Sequence, residues 1–381
     1  MPARTARRPR RACLVAALAM FATSLGGGSA AAAPAAEQPS PPQYTLNQLE
    51  PLEGGTASFA LGTSARGTAV GTSRTRSSFR PQLAVRWTAG QVENLGTLPG
   101  STFSRAFAIN HRGQAVGEAF TAPPETSRAV LWERDGTLRD LGTLGGRSAV
   151  ANDIDDRGRA FGSSSRETGS SVATVWDRRG PRALPGVDPQ ATGPSRVNAV
   201  SAAGSAVGGS SARVDGGASV GQAVRWTPRG QDFLPTALDR LEPGRFATAL
   251  GVTENGLVVG EAARTDPGTT RTSTRAVVWT GTSIQELTAV GNYRFTRATD
   301  ASNSGDVVGF ASGFAGFPTI DGAAVLWRGG QSFDLNEAIV DGPEGFVLRT
   351  AESINDRGDI VGFGTLKGQT HAFVLTPVSG R

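Results

Sequence analysis

A short hairpin pattern that recurs seven times limits the folds open to this chain. Its clearest copy is residues 106–117, AFAINHRGQAVG, in which a turn glycine is followed four residues later by a second glycine. The turn glycines of repeats 1 to 7 are Gly67, Gly113, Gly158, Gly204, Gly256, Gly305 and Gly358, and the second glycines are Gly71, Gly117, Gly162, Gly208, Gly260, Gly309 and Gly362. Successive copies are 45 to 53 residues apart, and a period of this size indicates a propeller or a solenoid.

A small polar residue stands three positions before every turn glycine. These residues are Ser64, Asn110, Asp155, Ser201, Thr253, Ser302 and Asn355. Asn, Asp, Ser or Thr at the first position of a turn, with Gly at the fourth, is typical of a type I turn or its bulged hairpin relative. The sequence therefore predicts a β-hairpin in each repeat.

Each repeat predicts four short strands, which we name A to D. Strand A precedes the turn, strand B carries the second glycine, strand C has the pattern Ala-Val-x-Trp, and strand D follows a further short turn. These runs are too short, and too often interrupted by glycine, to be helices. All six tryptophans fall in strand C, at Trp87, Trp132, Trp176, Trp226, Trp279 and Trp327. A large aromatic ring at one repeat position predicts a place in the core.

The two ends of the repeat array predict how it closes. Repeat 7 stops after strand C, whereas residues 46–54 match the strand D sequence of residues 138–146 and have no repeat of their own. An N-terminal strand D can complete the last sheet of a ring, while an open solenoid would need polar caps instead. We therefore predict an all-β fold, a seven-bladed β-propeller of four-stranded blades closed by the N-terminal strand.

The first 36 residues have the composition of an export signal. Five arginines precede an apolar run over residues 12–25, and an Ala/Pro-rich leader with Ala-x-Ala cleavage options follows. The apolar run is too short to span a membrane, and no longer one follows it. We expect residues 37–381 to form a single secreted, extracellular propeller domain that is monomeric.

Removal of the export segment would change the net charge of the protein. The segment contains five arginines and no acids, so that its removal lowers the formal net charge from +5 to 0. The basic pI then belongs to the precursor, and the composition gives no support to a nucleic-acid partner. The only cysteine, Cys13, also leaves, so that no disulfide is available and the core must hold the fold.

Few residues of this chain have the chemistry that catalysis or metal binding needs. The two histidines, His111 and His371, are predicted on opposite ends of the fold, and without cysteine they exclude His-based triads and His/Cys zinc sites. We therefore expect no metal and no cofactor. The remaining candidates are Asp153, Asp300 and Glu352, which would lie near the axis if strand A lines a central channel. They can bind a cation or a polar ligand, or they can hydrogen-bond channel water and backbone, which is the interpretation we favour.

The strand order places the connections between strands at two opposite ends of the predicted fold. The A–B and C–D turns form what we call the turn end, and the longer B–C and D–A connections form the loop end. Variable loops on a rigid scaffold are the usual place for binding. The segment 310–317 puts three phenylalanines on the loop end, and Phe314 and Phe317 are candidate binding residues there, with Phe79 and Phe120 in neighbouring loops. Exposed rings there would suit sugar or peptide binding, but packing of the loops against the rim of the ring is the interpretation we favour.

The repeat unit resembles a known family. The patterns AFAIN-x-x-G-x-x-VG and LGTLPG/LGTLGG, and the tripeptide His371-Ala372-Phe373, are similar to those of the HAF-type extracellular repeat proteins. The resemblance covers nearly the whole chain after the leader and implies an exported bacterial repeat protein. It brings no catalytic residues with it, and other copies replace the histidine by Arg or Gln.

Three hypotheses for function follow. The first is a secreted, non-catalytic binding or scaffold module that engages a protein or a polysaccharide through its loop end. The second is a polysaccharide-degrading enzyme, a glycoside hydrolase or a lyase, that uses the acids near the channel mouth. The third is a purely structural surface protein. The first is preferred because the acids are few and loosely placed.

Overall fold

The part of the chain that the structure describes consists of β-strands and one short 3₁₀ helix. The computed structural model describes residues 42–75, 82–121, 126–214, 217–314 and 321–378. The predicted export segment lies outside these residues. No helix within the described ranges has the length and apolar character needed to cross a membrane.

The strands follow the predicted repeat in chain order. Strand β1 (Tyr44–Leu49) precedes repeat 1, which forms β2 (Gly55–Thr63), β3 (Ala69–Thr75), β4 (Gln82–Thr88) and β5 (Gln91–Asn94). Repeat 2 forms β6 (Phe103–Ile109), β7 (Ala115–Thr121), β8 (Thr126–Trp132) and β9 (Leu138–Asp140). Repeat 3 forms β10 (Gly145–Ile154), β11 (Ala160–Arg166), β12 (Ser171–Asp177) and β13 (Gly180–Ala183).

The second half of the chain continues in the same way. Repeat 4 forms β14 (Ser195–Val200), β15 (Ala206–Arg213), β16 (Ser219–Arg229) and β17 (Asp232–Ala237). Repeat 5 forms β18 (Ala247–Val252), β19 (Val258–Thr265), β20 (Thr272–Thr280) and β21 (Ser283–Glu286). Repeat 6 forms β22 (Phe295–Ala301), β23 (Val307–Ser312), β24 (Ala323–Arg328) and β25 (Gln331–Asp334). A 3₁₀ helix (Leu335–Ala338) and β26 (Ile339–Asp341) precede repeat 7, with β27 (Val347–Ile354), β28 (Ile360–Leu366) and β29 (Gln369–Pro377).

Neighbouring strands in each repeat pair antiparallel in the order A-B-C-D. Repeats 1, 4, 5 and 6 each form a separate four-stranded sheet. Repeats 2 and 3 are joined into one eight-stranded sheet because Ser148 of β10 pairs in parallel with Ser127 of β8. The four-stranded unit predicted from the sequence is therefore the unit of the fold.

The last sheet combines the two ends of the chain. Its strand order is β26-β1-β29-β28-β27, and β1 pairs antiparallel with β29 from Tyr44 opposite Pro377 to Leu49 opposite Ala372. The N-terminal strand thus occupies the strand D position of repeat 7, as the sequence predicted. The parallel fifth strand, β26, was not predicted; the 3₁₀ helix before it buries Leu335 and Ala338 in the same core.

The hairpin of repeat 2 explains both of its glycines. Gly113 has a φ of 80° and donates its N–H to the Asn110 carbonyl over 3.0 Å, which closes the turn. At Gly117 an added Cβ would lie 1.8 Å from the Arg105 carbonyl oxygen, so no side chain fits. This close approach occurs where β6 has a bulge between Ala106 and Ala108.

The tryptophans lie in the core, as predicted. All six are at most 2% exposed, and Leu375 replaces them in repeat 7 at 0%. Five of the indoles donate their N–H to a backbone carbonyl in the connection that precedes their own repeat, as Trp87 does to Glu50 over 2.8 Å. All six rings therefore fill the core, and five of them also hold the connection that precedes their repeat.

Candidate functional site

The strand A segments of all seven repeats line one cavity of about 300 Å³, which we call the inner cavity. Its wall also includes residues of the A–B turns, such as His111, Asp156 and Glu254, so it extends to the turn end. Every strand A has a bulge in the segment that lines this cavity. Asp153, Asp300 and Glu352 are all part of its wall, as predicted for a channel lined by strand A.

Asp153 and Asp300 connect neighbouring repeats in the same way. Asp153 accepts the N–H of Ile154 (2.8 Å) with one oxygen and the N–H of Val200, from the next repeat, with the other (2.7 Å). Asp300 accepts the N–H of Ala301 (2.8 Å) with one oxygen and the N–H of Ile354, again from the next repeat, with the other (3.0 Å). Each carboxylate thus accepts one backbone N–H from its own repeat and one from the next, and so links neighbouring repeats.

The surroundings of these two carboxylates favour their protonated forms. Burial raises the pKa of Asp153 to about 7 and that of Asp300 to about 6. The backbone N–H groups that bind each carboxylate act against the rise in pKa, and the negative charge of Asp300 adds to it at Asp153. Both groups therefore titrate near neutral pH.

Glu352 lies on the same wall, but its charge partner comes from another element. Burial raises the pKa of its carboxyl group, and the positive charge of Arg297 in repeat 6 acts against that rise. Arg297 itself forms an ion pair with Glu261 of repeat 5. The three predicted acids are therefore brought to one cavity, but Glu352 belongs to a separate charge network.

The turn end carries a row of hydrogen bonds that the sequence analysis missed. The N–H of Glu254 donates to Asn303 (2.9 Å), and the N–H of Asn303 donates to Asp356 (2.8 Å), each time from one repeat to the next. His111 of repeat 2 has its Nδ1 2.6 Å from a carboxylate oxygen of Asp156 in repeat 3, and the N–H of Ala202 in repeat 4 donates to Glu254 of repeat 5. The signal was present in the sequence, because an acid or amide often follows the polar turn residue.

These polar residues do not assemble into a metal site. Within the described ranges, no group of three or more His, Cys, Asp or Glu side chains is arranged to hold a metal ion. The inner cavity is thus a polar space lined by hydrogen-bonded backbone, amides and a few acids. Such a space can hold water or a small polar ligand.

A second cavity lies at the loop end between repeats 5 and 6. This aromatic pocket, of about 270 Å³, is lined by Phe246, Glu261, Thr274, Phe295, Thr296, Arg297 and Phe310. Phe246 is 38% exposed, whereas Phe310 is 4% exposed and forms part of the floor. The Arg297 guanidinium lies 5.8 Å from the centroid of the Phe310 ring. Three phenylalanine side chains and a charged pair therefore meet in one concave site.

The phenylalanines named in the sequence analysis differ in their position and exposure. Phe314 is 68% exposed in the B–C connection of repeat 6, as expected, while Phe317 and Phe79 lie outside the described residues. The placement of Phe310 on a variable loop was wrong, because it belongs to β23 and is buried. Phe120 was also placed wrongly: it lies in β7 and its ring stacks on Phe103 at 4.8 Å.

Comparison with solved structures shows the fold class of this chain. The β-propeller domain of the Trilobed protease from Pyrococcus furiosus matches with a TM-score of 0.52 and 7% identity, over 86% of this chain and 94% of that one. This chain therefore has a β-propeller fold. At such low identity the likeness extends to the fold alone.

Two further solved structures match with lower TM-scores. A puromycin-hydrolyzing peptidase from Mycobacterium tuberculosis matches with a TM-score of 0.47 and 13% identity, over 85% of this chain and 51% of that one. A sialidase from Trypanosoma rangeli matches with a TM-score of 0.42 and 12% identity, over 84% of this chain and 53% of that one. Models of known protein families and curated protein sequences give no match.

Proposed function

We propose that this protein is an exported, non-catalytic binding propeller that holds a polysaccharide against the aromatic pocket at its loop end. The observation that carries the proposal is the pocket itself, in which Phe246, Phe295 and Phe310 form a concave apolar surface beside polar groups. This is the end of the fold where the variable connections lie. Phe246 lies on a D–A connection, and Phe295 and Phe310 lie in the strands beside it; binding residues on connections held by rigid strands are a common arrangement.

The lining of the pocket suits a sugar ring. One face of a pyranose carries C–H groups, which pack against the flat apolar face of an aromatic side chain. Its edge carries hydroxyls, which need donors and acceptors. Glu261 and Arg297 supply both, and the Thr296 hydroxyl, which accepts the Ala276 N–H over 2.8 Å, still has one proton to donate.

The hydrogen bonds of the acids favour binding over catalysis. Each oxygen of Asp153 and of Asp300 already accepts a backbone N–H. A carboxylate in that position stabilises the contact between neighbouring repeats. This supports a structural role for both residues.

A second candidate function rests on the pKa values of the same two acids. A polysaccharide-degrading enzyme needs a carboxyl group that remains protonated near neutral pH, and Asp153, with a pKa of about 7, meets that need. In this alternative the substrate would enter the inner cavity from the turn end. The two candidates therefore use opposite ends of the molecule.

We also propose that the seven repeats form a closed ring of seven blades. The pairing of β1 with β29 supports it, as do contacts between repeats 1 and 7. Asn355 donates its side-chain N–H to the Ser64 carbonyl over 3.0 Å, and the rings of Phe59 and Phe363 meet edge-to-face at 5.1 Å. We further propose that the chain is a secreted HAF-type repeat protein, for which the repeat motifs and the N-terminal segment are the support.

The test is a binding assay with a panel of insoluble plant and bacterial polysaccharides. We expect at least one to be bound, and Phe246→Ala to weaken that binding by about tenfold because it removes the exposed aromatic wall. Leu234→Ala is the matched control, since Leu234 is 51% exposed and lies outside the pocket. Binding that is unaffected by Phe246→Ala, or lowered equally by Leu234→Ala, would contradict the proposal.

The same panel separates the enzyme alternative. Release of reducing ends or unsaturated products by the protein, abolished in an Asp153→Asn/Asp300→Asn variant, would establish catalysis in its place. Absence of product together with binding that depends on Phe246 supports the non-catalytic function. Retention of a protein ligand but of no polysaccharide would overturn the choice of ligand.

A further inference from the structure

A third cavity, of about 160 Å³, lies at the turn end between repeats 1 and 2. We call it the arginine pocket; its lining includes Arg66, Arg86, Arg112, Arg134, Thr68 and Thr88. The A–B turns of both repeats, the end of β4 and the C–D turn of repeat 2 each contribute. Four arginines thus converge from four separate segments, and the lining includes no carboxylate.

The positive charge in this pocket is only slightly offset by its surroundings. Within the described ranges, no carboxylate lies within ion-pair distance of Arg66, Arg112 or Arg134, and all three are exposed. At the edge of the pocket, His111 contacts Asp156. In the aromatic pocket, by contrast, Arg297 forms an ion pair with Glu261.

Arg86 forms the floor of the pocket and is only 8% exposed. Its Nη2 donates to the Gly113 carbonyl over 3.3 Å, and its Nη1 lies 3.6 Å from Glu93, whose side chain is 56% exposed. Its Nε is buried and has no hydrogen-bond partner. A buried guanidinium with an unpaired donor and a single, largely solvated counter-charge favours the approach of an anion.

The repeat provides an internal comparison. Arg225 of repeat 4 occupies the position of Arg86, and its Nη2 donates to the Gly256 carbonyl over 2.6 Å. The positions of Arg66, Arg112 and Arg134 are there taken by Ala203, Asn255 and Gly281. The strand C arginine is therefore a structural feature that recurs without a pocket of this kind, whereas its combination with Arg66, Arg112 and Arg134 occurs between repeats 1 and 2.

We propose that the arginine pocket binds a tetrahedral oxyanion, a phosphate or sulfate group, either free or carried on a sugar. Guanidinium groups match the oxygens of such groups with paired N–H donors. A single carboxylate is satisfied by one arginine, whereas several converging arginines compensate the double charge of a phosphate or sulfate. The hydroxyls of Thr68 and Thr88 can donate to the remaining oxygens.

The experiment is calorimetric titration of the protein with inorganic phosphate, inorganic sulfate, glucose 6-phosphate and glucuronate. We expect phosphate or sulfate to bind, and Arg112→Gln/Arg134→Gln to weaken binding by about tenfold or more, because two charge-assisted donors are lost. The matched control is Arg157→Gln/Arg178→Gln, which changes the same turn positions one repeat further along. It removes the same charge but lies outside the pocket.

The outcomes separate the possibilities. Equal weakening in the control pair would show that only net charge matters and would overturn the site. So would no binding of phosphate, sulfate or glucose 6-phosphate, or tighter binding of glucuronate than of any of them. A preference for glucose 6-phosphate over inorganic phosphate would identify the group as one carried on a sugar, and the absence of that preference would identify the free ion.

Discussion

The second glycine of each repeat is fixed by a carbonyl oxygen rather than by a turn. In all seven repeats an added Cβ would lie 1.8 to 2.2 Å from the backbone oxygen of the residue before the strand A alanine or valine. Because the obstructing atom belongs to the backbone of a paired strand, it cannot move aside as a side chain could. The residue that looked like a repeat signature is therefore a requirement of close strand approach at a bulge.

Gly117→Ala tests this requirement. We expect it to lower the free energy of unfolding by about 3 kcal/mol or more, since the Arg105 carbonyl must shift for the methyl group to fit. Gly90→Ala is the control: Gly90 has a φ of 79° but nothing within 4 Å of an added Cβ, so only the backbone strain of about 1 kcal/mol applies. Denaturant unfolding measures both, and equal losses would refute the steric explanation.

Asp153 predicts a pH dependence of stability. In the unfolded chain this carboxyl loses its proton near pH 4, whereas in the folded protein its pKa is about 7. Between these values the folded state holds more protons than the unfolded state, so this group makes stability fall as pH rises. We expect Asp153→Asn to flatten that part of the stability curve.

The control for this prediction is Asp135→Asn. Asp135 is exposed, and its hydrogen bonds with Thr137 lower its pKa, so its contribution changes only below about pH 4. Thermal or denaturant unfolding of the three proteins at several pH values from 4 to 8 gives the slopes. An unchanged slope in Asp153→Asn would mean that this carboxyl is ionised in the folded protein throughout the range.

At the scale of elements, the N-terminal strand is what completes the last sheet. In β1, Tyr44, Leu46 and Leu49 are at most 3% exposed, and the strand is paired on both sides, by β29 and by β26. Residues distant in sequence therefore share one core, in which Tyr44 and Leu46 pack with Phe346, Leu348 and Phe373. Without β1, the backbone groups on one edge of β29 would lose their partners, while the other edge stays paired with β28.

Deletion of residues 37–54 is expected to destabilise the protein strongly. Each of the three buried side chains contributes about 1.5–3 kcal/mol of burial, and the ladder with β29 is lost as well. The melting temperature and the cooperativity of unfolding are the measurements. Deletion of residues 37–41 alone leaves β1 in place and is expected to have little effect. A protein without residues 37–54 that melts within a degree or two of the intact one would contradict the proposed ring.

At the scale of the whole molecule, the three cavities are distributed between two ends. The inner cavity and the arginine pocket share Ser64, Ile109, Asn110 and His111 and lie towards the turn end. The aromatic pocket lies at the loop end. A sugar ligand that also carries acidic groups would therefore have to bind the aromatic pocket and the arginine pocket at two separate places. The repeat gives a uniform framework, and the sites arise where individual repeats depart from it.

The sequence by itself determined the features that obey the period. These features are the turn residues, the paired glycines, the buried tryptophans and the N-terminal strand that has no repeat of its own. They depend on local geometry and on the alternation of side chains along a strand, so that the pattern of one copy predicts the others. It also predicted that Asp153, Asp300 and Glu352 line a common cavity, because strand A occupies the same place in every repeat.

Only the tertiary structure decided which irregular residues meet. Phe246 and Phe310, or Arg66 and Arg134, are separated by more than one repeat length along the chain, and no periodic pattern connects them. It also showed that Phe310 is buried in β23 and that β26 extends the last sheet. These outcomes depend on packing between neighbouring sheets, where a contact is set by the distance between two surfaces and not by the spacing of residues along one strand.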